Sequence, residues 1–338
     1  MSVKTLDTEK LERWMAEAVP GFEGPLTAEK FAGGQSNPTY KLTASSGEYV
    51  LRRKPPGQLL QSAHAVDREF RAMSALQDTN VPVATPLALC EDNEVIGSMF
   101  YVMEFMPGRT FWDARLPEQS KEERAAIYDA MNQVLADLHS VDYKAVGLAD
   151  YGKPGNYFER QVSRWTKQYR ASETDRVDAM ETLIEWLTAN TPDDDETTIV
   201  HGDYRLDNMI FHPTEPRVIA LVDWELSTLG HPLADLAYQC MQWRLPADGP
   251  LPGLEGLDRT ALGLPTEEEY VQRYCERRGL SGVDNWEFYL AFGFFRLAAI
   301  LQGIKKRSLD GNASNDKAAM MGEVVTPLAQ AGVDLIPS

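Results

Sequence analysis

Cysteine is scarce. The 338 residues contain three, Cys90, Cys240 and Cys275, far apart and with no Cys-x-x-Cys pair. So small and scattered a set excludes a disulfide framework and a cysteine-based zinc site, and it points to a reducing, cytoplasmic setting. Long apolar runs are lacking as well. No uninterrupted stretch approaches the roughly 18 residues of a membrane span, so none is expected. The first residues, MSVKTLDTEKLERWM, alternate in charge and have no apolar h-region, so they do not read as a secretory leader. Basic charge is in deficit: 33 Lys and Arg stand against 51 Asp and Glu, a formal net charge of −18. Such a surface repels nucleic acid and anionic membrane and leaves small molecules as the expected partners. The acidity suits a cationic ligand, although net charge speaks first to solubility. No internal repeat or low-complexity block is present, which excludes solenoid and array architectures.

The composition is that of a globular protein, and the length calls for two packed lobes. Thr5 to Val19 has the period of an amphipathic helix, closed by Pro20-Gly21 and Gly24-Pro25. Glu29 to Ala32, Thr39 to Ala44 and Glu48 to Arg53 read as strands, the last two joined by a Ser45-Ser46-Gly47 turn. Residues 62–77 switch to helical spacing, with Val66, Phe70, Met73 and Leu76 on the apolar stripe. Leu87 to Glu91 and Ser98 to Phe105 follow as strands around the Glu91-Asp92-Asn93-Glu94 turn, and Met106-Pro107-Gly108 breaks the chain. This order describes a small lobe on a mostly antiparallel sheet with one long helix, residues 1–106. Residues 107–338 are mainly helical, beginning with the amphipathic Lys121 to His139. Ile199-Val200, residues 209–212 and residues 217–223 read as short strands, and the Gly- and Pro-rich 246–265 as a long loop.

The most informative segment runs Ile199-Val200-His201-Gly202-Asp203-Tyr204-Arg205-Leu206-Asp207-Asn208 and ends, after two short strands, at Leu221-Val222-Asp223-Trp224-Glu225. Phosphoryl transfer to a hydroxyl needs a carboxylate to orient the hydroxyl and accept its proton, oxygen ligands for Mg2+, and cations on the moving phosphate. Asp203 suits the base. Asn208, five residues on, suits a loop that doubles back to a metal, and Asp223 at a strand end supplies the anionic oxygen that Mg2+ prefers. A lone His-x-Asp-x-x-x-x-Asn is a weak pattern, since Asp203 alone could be a turn or cap residue. Its combination with Asp223 is far more specific.

HGDYRLDN followed by LVDWE resembles the aminoglycoside phosphotransferase, or choline kinase-like, branch of the protein-kinase-like fold, with Gly202 in place of the kinase arginine and Trp224-Glu225 in place of Phe-Gly. The resemblance covers about residues 27–310 and implies a two-lobed α+β fold that uses ATP and Mg2+. It places the phosphate loop at Phe31 to Tyr40, with Gly33, Gly34, Ser36 and Asn37 near the nucleotide, although a plain Gly-Gly turn reads equally well. Tyr49-Val50-Leu51-Arg52 takes the place of the kinase Val-Ala-Ile-Lys strand, which gives Arg52 the nucleotide phosphates; Arg53 points to the other face. Glu69, beside the buried stripe of the 62–77 helix, is then the partner of Arg52. Backbone groups of Glu104 and Met106 correspond to the adenine-binding hinge. Arg205 corresponds to the kinase cation on the transferred phosphate, His201 to a brace of the loop, and Asp235 to the family's structural aspartate.

Within the branch, YVLRRKPPG and VHGDYRLDNMIF look closest to the kinase-like domain associated with certain acyl-CoA dehydrogenases. That resemblance implies a hydroxyacyl-CoA or a similar hydroxylated metabolite as acceptor. An aminoglycoside or amino-alcohol is the alternative that the acidic composition favours, and a non-catalytic nucleotide-binding module is the alternative from another class. A protein kinase is disfavoured, because no Ala-Pro-Glu segment follows Asp223. Tyr157, Phe158, Trp165, Tyr169 and Trp186 read first as packed core and second as an acceptor pocket. ATP against GTP, and the oligomeric state, stay open.

Overall fold

The structure is a computed structural model, described here for residues 6–31, 37–55, 65–310 and 322–337. It divides into two compact units. The first comprises Met1–Thr110, Lys144–Leu148 and Asn208–Ser227; the second comprises Phe111–Tyr143, Ala149–Asp207 and Thr228–Ser338. A single cut near residues 106–110 therefore misses two later segments that return to the first unit. One of them begins at Asn208, the last residue of the His201–Asn208 segment.

In the first unit, helix α1 (Thr8–Ala18) precedes strands β1 (Thr27–Lys30), β2 (Thr39–Ala44) and β3 (Gly47–Arg53), helix α2 (Val66–Leu76), strand β4 (Pro86–Cys90), a single helical turn α3 (Asn93–Ile96) and strand β5 (Phe100–Glu104). The strands form one antiparallel sheet in the order β1-β2-β3-β5-β4. Asp7 starts α1 by accepting a hydrogen bond from the Lys10 amide at 3.1 Å. The helix then lays Leu11 and Met15, both 0% exposed, against Leu42, Leu51, Phe100 and Val102 of the sheet. Helix α2 packs near β4 and β5 instead. Its N-cap, Ala65, makes no side-chain cap, so burial of Val66, Met73 and Leu76 holds it rather than capping. The expected turn at residues 91–94 contains α3, because Asp92 caps Glu94 at 2.8 Å and Gly97 closes the turn at φ 88°.

A hairpin of Met209–Phe211 with Val218–Leu221 completes the unit. It is tied to the end of the sheet segment by paired backbone bonds of 2.8 Å between Arg109 and Phe211.

The second unit is helical. It contains α4 (Lys121–His139), α5 (Tyr157–Ser172), α6 (Asp178–Ala189), α7 (Leu233–Cys240), the short α8 (Arg259–Leu262), α9 (Glu267–Arg278), α10 (Trp286–Leu309) and α11 (Val325–Val333). Ser120 caps α4, and Thr266 with Glu269 forms a capping box on α9. Helix α10 is long and apolar enough to cross a membrane by length and composition, but 72% of its apolar window is buried inside the protein. It is a core helix, packed against α5, α6, α7 and α11. Phe158 of α5 meets Phe288, Tyr289 and Phe292 of α10 at ring separations of 5.1 to 5.4 Å. The aromatic residues of α5 are thus mostly core, as Tyr157, Phe158 and Tyr169 are buried. A two-stranded ladder, Thr198–Val200 with Thr228–Gly230, crosses this unit. The second of those strands carries no sequence signal beyond Thr228-Leu229-Gly230.

Gly108 stands where any side chain would collide: a Cβ there overlaps the Phe211 carbonyl oxygen and lies 2.5 Å from Ile210 Cγ2. Gly108→Ala is therefore expected to cost about 1–3 kcal/mol through overpacking against backbone. A thermal melt of the variant that matched the parent would contradict this packing.

Candidate functional site

Each unit carries its own half of the residues singled out by sequence. In the first unit, pleating turns Arg52 and Arg53 to opposite faces of β3. Arg53 is buried and donates to Ser98 Oγ at 3.0 Å. The Arg52 Nε lies 2.8 Å from Glu69 Oε2 as a charge contact rather than an aligned hydrogen bond, while its Nη2 reaches Asp223 Oδ1 at 2.5 Å and Glu225 Oε2 at 3.5 Å. Glu69 is 1% exposed and takes two further hydrogen bonds, from Asn37 Nδ2 at 2.8 Å and from the Tyr101 hydroxyl at 3.1 Å. One cation is thus shared among three carboxylates. Burial works against the Arg52 charge, but Glu69 and Asp223 outweigh it and raise its pKa further. Burial pushes the Glu69 carboxyl up to about 7, opposed by Arg52 and reinforced by Asp223 and Glu225.

Asp223 has a left-handed backbone, φ 68° and ψ 60°, at the start of a short 3-10 turn, Trp224–Leu226. Aspartate tolerates this region better than most side chains, and such outliers gather at functional sites. Asn208 is buried, and its carbonyl accepts from the Val222 amide at 2.9 Å, so the hairpin sets Asn208 beside the residue preceding Asp223. A neutral amide oxygen and a carboxylate suit Mg2+, which takes few protein ligands and completes its shell with water and phosphate oxygens. Among the described residues no group of three or more His, Cys, Asp or Glu is set to hold a metal ion. Glu104 ends β5, where its side chain accepts from Thr85 Oγ1 at 2.9 Å, and Met106 lies beyond the strand. Asn37 is turned to Glu69 and to Glu225 Oε2 at 3.4 Å. Gly33, Gly34 and Ser36 lie outside the described residues.

In the second unit, the strand Thr198–Val200 delivers His201, Gly202 and Asp203. Gly202 has φ 84°, a conformation that favours glycine. The buried Asp235 at the start of α7 accepts from the His201 amide at 2.6 Å and the Gly202 amide at 2.9 Å. His139 contacts the same carboxylate at 3.4 Å and Tyr274 at 2.7 Å. Burial opposes ionisation of Asp235, yet His139, His201 and the Gly202 amide hold its pKa below the ordinary value. Burial likewise lowers His139, which keeps it a neutral hydrogen-bonding group. From the other side, Arg296 donates to the Gly202 carbonyl at 2.6 Å, and the Tyr204 hydroxyl donates to Met131 O at 2.6 Å.

Asp203 follows this anchored pair with its side chain 26% exposed, and Arg205 Nε lies 3.7 Å from its Oδ1. Arg205 also pairs with Asp207. Tyr238 hydrogen-bonds Asp203, and burial, then Asp203, push its phenol up to about 12.

Arg205, Asp207 and Tyr238 line a cavity of about 210 Å³ with Trp112, which is 78% exposed. Leu245 and Leu251 form its far wall and also line an adjoining cavity of about 600 Å³, where Phe294, Val324 and Leu328 are met. All of these residues belong to the second unit. Sequence reasoning missed Tyr238, Glu225 and Arg296 as site residues. For Arg296 a signal existed: a lone charge within Phe294-Phe295-Arg296-Leu297-Ala298 demands a buried partner.

The raised Glu69 carboxyl has a measurable consequence. Between its ordinary pKa of 4.5 and about 7, the native protein holds a proton that the unfolded chain has released. Stability therefore falls as pH rises through that window, by at most about 1.4 kcal/mol per pH unit for one proton. Glu69→Gln lacks this contribution, so the difference between the two stability–pH curves, followed by urea unfolding, should slope across pH 4.5–7. Parallel curves would show that Glu69 ionises normally.

Residues 27–289 match the family described as Phosphotransferase enzyme family. Acyl-CoA dehydrogenase family member 10 of Mus musculus is 52% identical over 92% of this chain, and the probable acyl-CoA dehydrogenase IBR3 of Arabidopsis thaliana is 44% identical over 99% of it. The chain spans 29% and 43%, respectively, of the lengths of those two relatives. A crystal structure of a provisionally assigned aminoglycoside phosphotransferase from Ralstonia eutropha is 54% identical, with a TM-score of 0.91 over 98% of both chains. The aminoglycoside phosphotransferase APH(4)-Ia, as a thermostable mutant, shares 15% identity and a TM-score of 0.63 over 96% of this chain and 99% of its own, a likeness of fold alone. The fold is protein-kinase-like, and the chain belongs to the phosphotransferase enzyme family.

Proposed function

We propose that the chain transfers the γ-phosphate of ATP to a hydroxyl group of a small-molecule metabolite in the cytoplasm. The observation that carries this reading is the anchoring of the loop before Asp203. Asp235 holds the His201 and Gly202 amides and Arg296 the Gly202 carbonyl, so the backbone that leads into Asp203 is fixed from both sides. In the proposed reaction Asp203 orients the acceptor hydroxyl and takes its proton as the new O–P bond forms and the bond to the ADP oxygen breaks. Arg205 supplies positive charge for the moving phosphoryl group. Arg52, held by Glu69, serves the nucleotide phosphates, and the Glu104 carbonyl and Met106 amide serve the adenine edge. Asn208 and Asp223 would hold Mg2+, which neutralises phosphate charge when bound.

A hydroxyacyl-CoA is the acceptor we favour. The cavity at Arg205 and Asp207 shares Leu245 and Leu251 with a more apolar cavity of about 600 Å³, and an apolar chain suits such walls better than a polycationic sugar does. The names of the curated relatives agree with acyl-CoA chemistry. Three free, buried cysteines support a reducing compartment.

Transfer from Mg-ATP to hydroxyacyl-CoAs, amino-alcohols and aminoglycosides tests the proposal, with Asp203→Asn as the control. Transfer is expected to the first class, falling about 100-fold or more in the variant while nucleotide binding persists. ATP binding without transfer to any class would favour a non-catalytic nucleotide-binding module. Preference for the amino-alcohols or aminoglycosides would overturn the acceptor assignment alone.

A further inference from the structure

A cavity of about 920 Å³ in the second unit takes no part in the proposed chemistry. It lies along α5 and the segment just before it. Four cationic side chains line it, Lys153, Arg160, Arg164 and Lys167, against two carboxylates, Glu159 and Asp195. In a chain with a net charge of −18, this local excess of positive charge runs against the composition. Other arginines of this unit are neutralised: Arg244, Arg277 and Arg278 each pair with a carboxylate within 2.8 Å. Among the described residues, Lys153, Arg160, Arg164 and Lys167 have no such ion pair.

Arg160, Arg164 and Lys167 follow helical spacing, so three like charges share one face of α5 and repel one another. An anion in the cavity relieves that repulsion. Gly155 and Asn156, both left-handed at φ 71° and 46°, form one end of the cavity, and Asp195 accepts from the Asn156 amide at 2.8 Å. Arg160 is partly buried. Its Nη2 donates to the Lys153 carbonyl at 2.5 Å, while its Nη1 is shielded from solvent and has no hydrogen-bond partner. A buried guanidinium nitrogen without an acceptor is costly, whereas Arg164 and Lys167, both exposed, are cations open to a phosphate oxygen.

The helix also touches the loop that bears Asp203. On α5, the Trp165 ring lies 5.7 Å from the Arg296 guanidinium, and Arg296 donates to the Gly202 carbonyl. The cavity and the reacting end are therefore linked through one packed contact within a single unit.

We infer that this cavity binds the phosphate-bearing part of the acceptor, a phosphate monoester or diphosphate remote from the hydroxyl that is phosphorylated. The acceptor role rests on the phosphotransferase reading; anion binding by the cavity does not. Arg164 and Lys167 are exposed, so charge reversal at both leaves the core intact. The test has two arms, each run on the full chain as wild type, as the double variant Arg164→Glu/Lys167→Glu, and as Arg176→Glu, an exposed control outside the cavity.

In the first arm, inorganic pyrophosphate is titrated calorimetrically into protein saturated with Mg2+ and a non-hydrolysable ATP analogue. Wild type and the control should bind it with an affinity that falls as salt rises, and the double variant at least tenfold more weakly. Equal binding by all three, or none by wild type, overturns the site. In the second arm, KM is compared for a hydroxyacyl-CoA and the matching hydroxyacyl-pantetheine, which lacks the diphosphate and the ribose phosphate. The CoA ester should have a KM at least tenfold lower, and the double variant should erase that gap with kcat unchanged. Pyrophosphate binding with no KM gap shows a site for free anions and overturns the acceptor role. Absence of transfer by wild type to either ester overturns the hydroxyacyl acceptor, and with it that role, while the calorimetric arm still decides the cavity.

Discussion

A single buried carboxylate organises the loop that bears Asp203. Asp235 is 1% exposed, and a charge removed from water is costly unless it is fully hydrogen-bonded. Here the His201 and Gly202 amides, with His139, supply that compensation. The cost makes the arrangement selective, because any loop conformation that withdraws those amides leaves a buried charge unsatisfied. Gly202 can present its amide because it accepts a left-handed backbone, and Arg296 closes the other side through the carbonyl of the same residue. The precision of Asp203 thus comes from its neighbours' backbone groups, fixed from α7 and α10.

The first unit uses the opposite device. Asp235 is a satisfied anion, whereas Glu69, Asp223 and Glu225 compete for Arg52. Burial, reinforced by Asp223 and Glu225, raises the Glu69 carboxyl, and the excess negative charge around one guanidinium favours any added cation. That electrostatic demand is consistent with Mg2+ at Asn208 and Asp223. It also gives Glu69 a defined duty: it is the least exposed of the three carboxylates, and its bonds to Asn37 and Tyr101 fix the direction from which Arg52 is held.

Much of this was legible in the sequence. Thr39–Ala44 and Lys121–His139 form within the bounds that alternation and helical spacing assign. The juxtaposition of Arg52 with Glu69 was implied by the family resemblance, with strand pleat and helix period choosing the faces. What escaped was non-local. The return of Asn208–Ser227 to the first unit depends on backbone pairing with Arg109 and with Pro82, which no local pattern encodes. Tyr238 and Arg296 look like ordinary helix residues until the loop they brace is in place. Leu245 and Leu251 sat in a Gly- and Pro-rich stretch that read as a connector, yet they wall two cavities. The phosphate loop itself, at Gly33, Gly34 and Ser36, rests on resemblance alone.

Net charge was the least informative sequence feature, for a physical reason. A total of −18 summarises a surface whose fields are screened within about 8–10 Å in physiological salt, so a ligand responds to the charges lining its own site. The acidic composition argued for a cationic acceptor, but Lys153, Arg160, Arg164 and Lys167 line one cavity. Acidity elsewhere does not cancel that local charge, because its field is screened over the same short distance. An acidic protein can in this way carry a site for an anionic ligand, provided cations without carboxylate partners share a cavity rather than being spread among ion pairs.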